Sequence, residues 1–276
     1  MERVLVVDDD RSTRELIRLQ LRQRGYRVDT AASGATALKR LGKGDHDLML
    51  LDIRMPGIDG LGVLKKMRSF SRRPKVIVMT ADDTPETLFG AIREHTQRYL
   101  KKPLELELLT SLVREVLDSS EIPPIEVVSA KSDWVELLVP CDRTAVEQIS
   151  DFMTNLDTDL PREVRHNVGQ AFRELLMNAV EWGGRLDQTQ RVRIAYLRAG
   201  RMLLYRIADP GHGFSFESLE HAAVNNPPDD PMQHSYVRQE KGIRPGGFGL
   251  LLTRSSVDEL LYNEAQNEVV FVKYLD

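Results

Sequence analysis

Short apolar runs alternate with amphipathic stretches through the first 120 residues of this 276-residue chain, and this alternation constrains the fold most strongly. The stretches between the runs, such as Ser12–Arg24 and Leu61–Arg68, repeat their apolar positions at helical spacing. Strands that alternate with helices form βαβ units around a parallel sheet. We therefore predict an α/β, doubly wound, five-stranded sheet. Its strand candidates are Val4–Val7, Arg27–Thr30, Leu48–Leu51, Lys75–Met79 and Arg98–Lys101.

The pattern changes after a predicted last helix at Leu104–Leu117. The following segment, Asp118–Pro124, is polar, and its prolines interrupt any helix. We predict a first domain at residues 1–120, a linker at 121–124 and a second domain at 125–276. Strands and helices do not strictly alternate in the second domain, which favours an α+β sandwich. Its predicted elements are strands at Ile125–Ser129 and Val135–Val139, helices at Arg143–Leu156 and Pro161–Glu181, a hairpin of Arg191–Arg198 with Met202–Ala208, a helix at Leu250–Leu260 and a strand at Glu268–Leu275.

Composition narrows the class of protein. The net charge of −4 argues against a nucleic-acid partner, because such binding usually needs a basic face. The single cysteine, Cys141, rules out an internal disulfide and suits a reducing cytoplasm. No apolar run approaches the ~20 residues of a membrane-spanning helix, and the early strand Val4–Val7 leaves no room for a signal peptide. We expect a cytoplasmic protein that binds neither DNA nor a membrane.

Carboxylates follow two strands of the predicted sheet. Asp8 and Asp9 come directly after the first strand, and Asp52 follows the third. The carboxyl ends of parallel strands meet at one edge of the sheet, where ligands bind, so these groups are expected to converge. Crowded carboxylates raise one another's pKa unless a cation neutralises them, and oxygen ligands suit Mg²⁺. A carboxylate can also act as a nucleophile toward a phosphoryl group.

A hydroxyl and an ammonium group are predicted at the same edge. Thr80 follows the fourth strand candidate and Lys102 follows the fifth, and both can bind phosphoryl oxygens. With these groups, residues 1–120 resemble the response-regulator receiver family. Asp8 and Asp9 match its acid pair, Leu51–Gly60 (LDIRMPGIDG) its phosphoacceptor motif, Thr80-Ala81 its switch hydroxyl and small neighbour, and Tyr99–Pro103 (YLKKP) its switch aromatic, phosphate-binding lysine and proline.

The resemblance implies a phosphorylation mechanism. Asp52 would receive a phosphoryl group from an upstream histidine kinase or phosphotransfer protein. Mg²⁺ would be held by Asp9, Asp52 and the backbone carbonyl of Arg54, with Asp8 helping through water.

The resemblance also implies a switch. Thr80 and Lys102 would move to meet the new charge, and Tyr99 would turn inward to change the protein surface. The sequence departs from the family pattern at His95-Thr96, where glycine and alanine are usual. We expect this departure to affect the shape of the output face, which is the surface that the switch changes.

Three motifs in the second domain indicate a nucleotide site. Glu174 and Asn178 are four residues apart on a predicted helix and so share a face. Asp209 begins the turn Asp209–Phe214 (DPGHGF), where a carboxylate can accept a hydrogen bond from an exocyclic amine. The run Pro245–Leu250 (PGGFGL) leads into a helix, and glycine-rich backbone at a helix N-terminus can hold phosphates.

In this order the motifs resemble the Bergerat ATP-binding fold of histidine kinases, type II topoisomerases and anti-sigma-factor kinases. The segment 178–183 (NAVEWG) looks most like the anti-sigma-factor serine kinase branch, although Trp182 stands where histidine is usual and the segment between Phe214 and Pro245 is long. The resemblance implies that Glu174 is the general base and that Asn178 binds the Mg²⁺ of ATP. The matching residues of the adenine-binding and glycine boxes are Asp209, Gly211, Gly213, Gly246, Gly247 and Gly249.

Two functions remain open. The first is a phosphorylation-controlled serine/threonine protein kinase. Its partner is an anti-anti-sigma protein of the STAS fold, which it phosphorylates, or a sigma factor, which it binds. The second is a non-catalytic nucleotide-binding regulator that sequesters such a partner. A histidine autokinase is disfavoured because residues 118–160 contain no histidine. The sequence leaves the oligomeric state, monomer or homodimer, open, and also whether phosphorylation activates or inhibits the output.

Overall fold

The computed structural model describes residues 1–81, 84–119, 123–131, 133–156, 159–215, 222–227, 229–242 and 247–275. The chain divides into two compact units, residues 1–121 and 122–276. Residues 121 and 122 of the predicted linker lie outside the described residues, so the linker boundaries stay a prediction. None of the helices in the described parts is both long and apolar enough to cross a bilayer.

The first unit alternates strands with helices, as predicted. Its sheet is entirely parallel, in the order β2-β1-β3-β4-β5. Alternate residues of β1 and β3 are buried on opposite faces, because helices cover both sides of the sheet. The elements are β1 (Arg3–Val7), α1 (Arg11–Gln23), β2 (Arg27–Ala31), α2 (Gly34–Leu41), β3 (Leu48–Asp52), α3 (Gly60–Met67), β4 (Lys75–Thr80), α4 (Pro85–Arg93), β5 (Arg98–Lys101) and α5 (Leu106–Asp118).

Helix α4 ends at the place where the sequence lacks the usual glycine. His95 takes a φ of 59°, in the left-handed region that glycine normally occupies after a helix. Its backbone N–H still donates to the carbonyl of Ile92, at 2.9 Å. The helix therefore stops as it would with glycine, and His95 adopts a conformation that few non-glycine residues occupy.

The second unit is an antiparallel six-stranded sheet with helices, in the order β10-β11-β9-β8-β7-β6. Phe172 of the long helix packs against Tyr205 of the sheet, and Tyr205 stacks on Phe271 with ring centroids 4.7 Å apart. The α+β prediction is confirmed. The elements are β6 (Glu126–Ala130), β7 (Trp134–Pro140), α6 (Arg143–Leu156), α7 (Arg162–Asn178), a π-helical turn (Ala179–Gly183), β8 (Arg191–Ala199), β9 (Met202–Ala208), α8 (Gln233–Glu240), α9 (Gly249–Ser256), β10 (Glu259–Tyr262) and β11 (Glu268–Tyr274).

Two predicted helices of this unit have the wrong extent. The helix predicted at Leu250–Leu260 ends at Ser256, and the chain continues as β10, which pairs with β11. Sheet pairing with a distant segment overrides the local apolar spacing there. The helix predicted at Pro161–Glu181 is α-helical only from Arg162 to Asn178, after which it widens into the π-helical turn.

Candidate functional sites

The acidic site forms at the carboxyl edge of the parallel sheet. Asp8 is fully buried and Asp52 is 4% exposed, whereas Asp9 faces solvent. The Lys102 ammonium lies between the two buried carboxylates, 2.7 Å from Asp8 Oδ2 and 2.6 Å from Asp52 Oδ2. The second oxygen of Asp52 accepts the backbone N–H of Arg54 at 3.1 Å. The Lys102 ammonium therefore offsets the negative charge of two buried carboxylates, those of Asp8 and Asp52.

Burial and charge act in opposite directions on this pair. Burial raises the pKa of Asp52 and outweighs the lowering by Lys102. Desolvation lowers the pKa of Lys102, but hydrogen bonds to Asp52 and Asp8 outweigh it and raise that pKa. The surroundings of Asp52 therefore favour its uncharged form, while Lys102 stays protonated beside it.

Three carboxylates at this edge can hold a metal ion. Each of Asp8, Asp9 and Asp52 offers an oxygen, and these oxygens lie within 4.8 Å of one another. An all-oxygen set that leaves room for water suits Mg²⁺. The residues present therefore fit the ion that the sequence predicts.

The predicted switch residues lie nearby in the same unit. Thr80 ends β4 and is fully buried. Tyr99 of β5 is partly buried against the core on the α2–α3 face of the sheet. The Lys102–Pro103 peptide is cis.

A cavity of about 880 Å³ opens in the second unit. The predicted pair Glu174 and Asn178 lines it from α7, and Asp209 lines it from the end of β9. The described glycines of the two predicted glycine boxes, Gly211, Gly213, Gly247 and Gly249, also line it. Gly246 lies outside the described residues. The fold thus brings groups from distant parts of the sequence to one cavity.

Asp209 is fixed by backbone contacts with the β10–β11 turn. Its N–H donates to the carbonyl of Asn267 at 2.9 Å, and the Asn267 side-chain amide donates to the carbonyl of Gly211 at 2.9 Å. The Gly211 N–H donates to Asp209 Oδ1 at 2.8 Å. Burial raises the pKa of Asp209, against the lowering by Gly211. This carboxylate is rigidly placed at the cavity wall.

Glycine is required where the backbone approaches this carboxylate. A Cβ at Gly183 would overlap the carboxyl group of Asp209, and a Cβ at Gly213 would overlap the carbonyl of Ala265. Gly213 also has a φ of 84°, which disfavours other residues. At both positions glycine therefore lets the backbone that lines the cavity pack closely against neighbouring protein atoms.

The catalytic candidate Glu174 lies against the start of α9. A Cβ at Gly249 would overlap Glu174 Oε2, so a larger residue there would displace the Glu174 carboxylate. Arg173 lies 3.7 Å from the other oxygen of Glu174. Because Gly249 belongs to the predicted glycine box, the carboxylate lies at the glycine-box end of the cavity.

Comparisons with known proteins agree with this geometry. Residues 4–114 match the response regulator receiver domain, and residues 139–273 match the histidine kinase-like ATPase domain. The DNA-binding response regulator MtrA of Mycolicibacterium smegmatis is 33% identical over 204 residues, which span 72% of this chain and 87% of that protein. The chain belongs to the response regulators.

Other relatives of this response regulator match its first unit. The response regulator MprA of Mycobacterium avium is 37% identical over 115 residues, 42% of this chain and 50% of MprA. The crystal structure of response regulator TrrA from Thermotoga maritima, in complex with Mg²⁺-BeF, is 36% identical and covers 42% of this chain and 99% of TrrA, with a TM-score of 0.39. In this regulator the receiver is followed by an ATPase domain.

Sequence reasoning missed residues that shape the cavity of the second unit, among them Gly183 and Asn267. Gly183 stood within the quoted run 178–183, but its approach to Asp209 depends on a distant strand. Asn267 carried no motif, and its hydrogen bonds to the Asp209 turn arise from sheet pairing. The described residues among the predicted site residues fall into two clusters, one in each unit, and their catalytic roles stay predictions.

Proposed function

We propose that this regulator is phosphorylated on Asp52 and that its ATPase domain is an ATP-dependent serine/threonine protein kinase under receiver control. The observation that supports a kinase most directly is the position of Glu174. It lies in the same cavity as Asn178 and Asp209, at the glycine-box end where phosphates would lie. We place this function in the bacterial cytoplasm.

The receiver reaction uses the buried carboxylate as nucleophile. An oxygen of Asp52 attacks the phosphorus of a phosphohistidine on an upstream histidine kinase or phosphotransfer protein. The O–P bond forms as the N–P bond breaks, and the imidazole leaves with the electron pair. Asp8, Asp9, Asp52 and the Arg54 carbonyl would hold Mg²⁺, which neutralises charge on the transferring group. Lys102 and Thr80 bind the oxygens of the transferred phosphoryl group. Tyr99 then turns inward as Thr80 moves.

The kinase reaction uses the second cavity. Asp209 accepts a hydrogen bond from the adenine amine, and the Gly211 and Gly213 backbone lies beside the base. Asn178 would hold the Mg²⁺ of ATP, which would supply positive charge to neutralise the phosphates. Glu174 takes the proton from a serine hydroxyl of the target, whose oxygen attacks the γ-phosphorus, and ADP leaves.

The downstream partner in this proposal is a STAS-type anti-anti-sigma protein, or a sigma factor that the domain binds directly. The alternative is a non-catalytic domain that binds nucleotide and sequesters that partner. The two differ in what they require of Glu174. A kinase needs its carboxylate as a base, and a binding module does not.

Transfer of radiolabelled phosphate separates these functions. The full chain is incubated with γ-labelled ATP, Mg²⁺ and a STAS protein, with and without beryllofluoride on Asp52. Since general-base catalysis contributes about 10²–10⁴-fold, Glu174→Gln should lower transfer by at least about 100-fold while ATP still binds. Glu163→Gln, an exposed position on the same helix, is the matched control. ATP binding by the wild type without transfer in either receiver state would leave only the non-catalytic function.

A further inference from the structure

The two carboxylate oxygens of Glu174 have different surroundings. Oε2 lies against the start of α9, where a Cβ added to Gly249 would come within 2.4 Å of it. Oε1 lies 3.7 Å from Nη1 of Arg173, the preceding residue of α7. A base that takes a proton beside the γ-phosphate has to present an oxygen at the glycine-box end of the cavity. In this arrangement that oxygen is Oε2.

Arg173 is itself held by the neighbouring helix α6. Its Nε donates to Glu147 Oε2 at 3.1 Å, and its Nη2 donates to Glu147 Oε1 at 2.5 Å. Two parallel hydrogen bonds to one carboxylate fix the plane of a guanidinium. The remaining nitrogen, Nη1, is the one that lies near Glu174. Arg173 therefore bridges an anchoring acid on α6 and the proposed base on α7.

The charges of the cavity give this bridge a task. The acids among the described lining residues are Glu174, Asp187, Asp209 and Glu268. The polyphosphate of ATP would add further negative charge, and like charges repel. Glutamate has three side-chain torsions, so an unrestrained Glu174 carboxylate would turn away from the phosphates. Attraction of Oε1 by the fixed Arg173 guanidinium opposes that turn and leaves Oε2 directed at the glycine box.

We propose that Arg173, anchored by Glu147, is a positioning residue that holds the Glu174 carboxylate in the orientation needed for proton transfer. The proposal rests on the kinase function proposed above. Arg173 is not among the described residues that line the cavity, so it acts through Glu174 and not on ATP. Both members of the Arg173–Glu174 pair are partly exposed, which limits its strength. Its loss should therefore slow phosphate transfer only several-fold.

Kinetics of the full chain in the radiolabel assay, with a STAS protein as acceptor, test this role. Arg173→Met should lower the transfer rate at saturating Mg-ATP about fivefold, the upper range for a partly exposed charge pair. The KM for ATP should change by less than about twofold, because the pair acts on the chemical step. Arg173→Lys keeps the charge but not the paired geometry, so its rate should fall between the two. Arg162→Met, an exposed arginine of α7, is the matched control and should transfer like wild type.

Double variants show whether Arg173 acts through Glu174. In a Glu174→Gln background, Arg173→Met should cause no further loss, because the group that it positions is already absent. Glu147→Gln loosens the anchor and should lower the transfer rate about twofold, as expected for one weakened surface contact. It should add nothing to Arg173→Met. A purely structural role would instead give losses that multiply in both pairs.

The outcomes separate this proposal from the kinase function itself. Wild-type transfer in Arg173→Met, a KM that rises by the same factor as the rate falls, or an undiminished loss in the Glu174→Gln background would overturn the positioning role and leave the kinase standing. If Arg173→Met does not fold, Glu147→Gln decides, and a wild-type rate in that variant would overturn the role. ATP binding without any transfer by the wild-type chain would overturn the kinase function and the role of Arg173 together.

Discussion

Asp52 and Asp209 both have a pKa raised by burial, but their surroundings differ. Asp52 shares the Lys102 ammonium with Asp8. For Asp209 the opposing contribution to the pKa is the backbone N–H of Gly211. The first carboxylate is balanced by a fixed cation before any ligand arrives. In the function proposed above, the second accepts a hydrogen bond from a neutral donor, the adenine amine.

Asp209→Asn should raise stability and weaken ATP binding. Because the folded-state pKa of Asp209 is raised, ionising it near neutral pH costs stability, and this cost disappears below the unfolded-state value of about 3.8. The variant should therefore unfold at a higher temperature than wild type at pH 7, and the difference should shrink as the pH falls toward 4. Scanning calorimetry across this pH range measures it.

The same variant should bind Mg-ATP about tenfold or more weakly. If the new amide oxygen keeps the Gly211 N–H, its NH₂ group faces the adenine amine, and two donors oppose each other. Asp187→Asn, an exposed cavity position, is the control for a general change in charge. Lower stability of Asp209→Asn at pH 7 would contradict the pH argument.

At the scale of elements, Gly249 at the start of α9 leaves room for the Glu174 carboxylate of α7. A Cβ there would overlap Glu174 Oε2. Alanine is otherwise the better helix former, by roughly 1 kcal/mol. A loss of function in Gly249→Ala therefore reflects the contact and not helix propensity.

Gly249→Ala should displace Glu174 and lower phosphate transfer more than it lowers ATP affinity. We expect at least tenfold slower transfer in the radiolabel assay, with thermal stability changed by a few degrees at most. Gly42→Ala, where the added Cβ meets only ordinary contacts in the first unit, should leave transfer unchanged. Wild-type transfer rates in Gly249→Ala would show that Glu174 tolerates the displacement or is not the base.

The elements also show how far sequence reasoning extends. The receiver site was predictable because Asp8, Asp52 and Lys102 each follow a strand, and a parallel sheet gathers strand ends. The second cavity depends on β10–β11 pairing. Gly183 and Asn267 acquire their positions only through contacts with distant segments. Local patterns cannot specify such contacts.

At the scale of the whole molecule, each unit carries a separate ligand site. A ligand that binds only the folded state stabilises by about 2.7 kcal/mol at 100 times its Kd. Mg²⁺ with beryllofluoride should therefore raise the melting temperature in Asp209→Asn as in wild type, but not in Asp52→Asn. Mg-ATP should show the reverse pattern. Fluorimetric melting curves give both, and loss of both shifts in one variant would show that the sites are not separate.

The π-helical turn after Asn178 changes the directions in which the following side chains point. Its hydrogen bond runs from Gly184 to Ala179, five residues back instead of four. Each residue of an ordinary helix advances by about 100°, so an extra residue in one turn rotates everything after it. Trp182, counted on a regular helical wheel, would be assigned to a rotated position. A designer grafting this segment onto a straight scaffold would have to carry the wider turn along to keep Trp182 at the cavity wall.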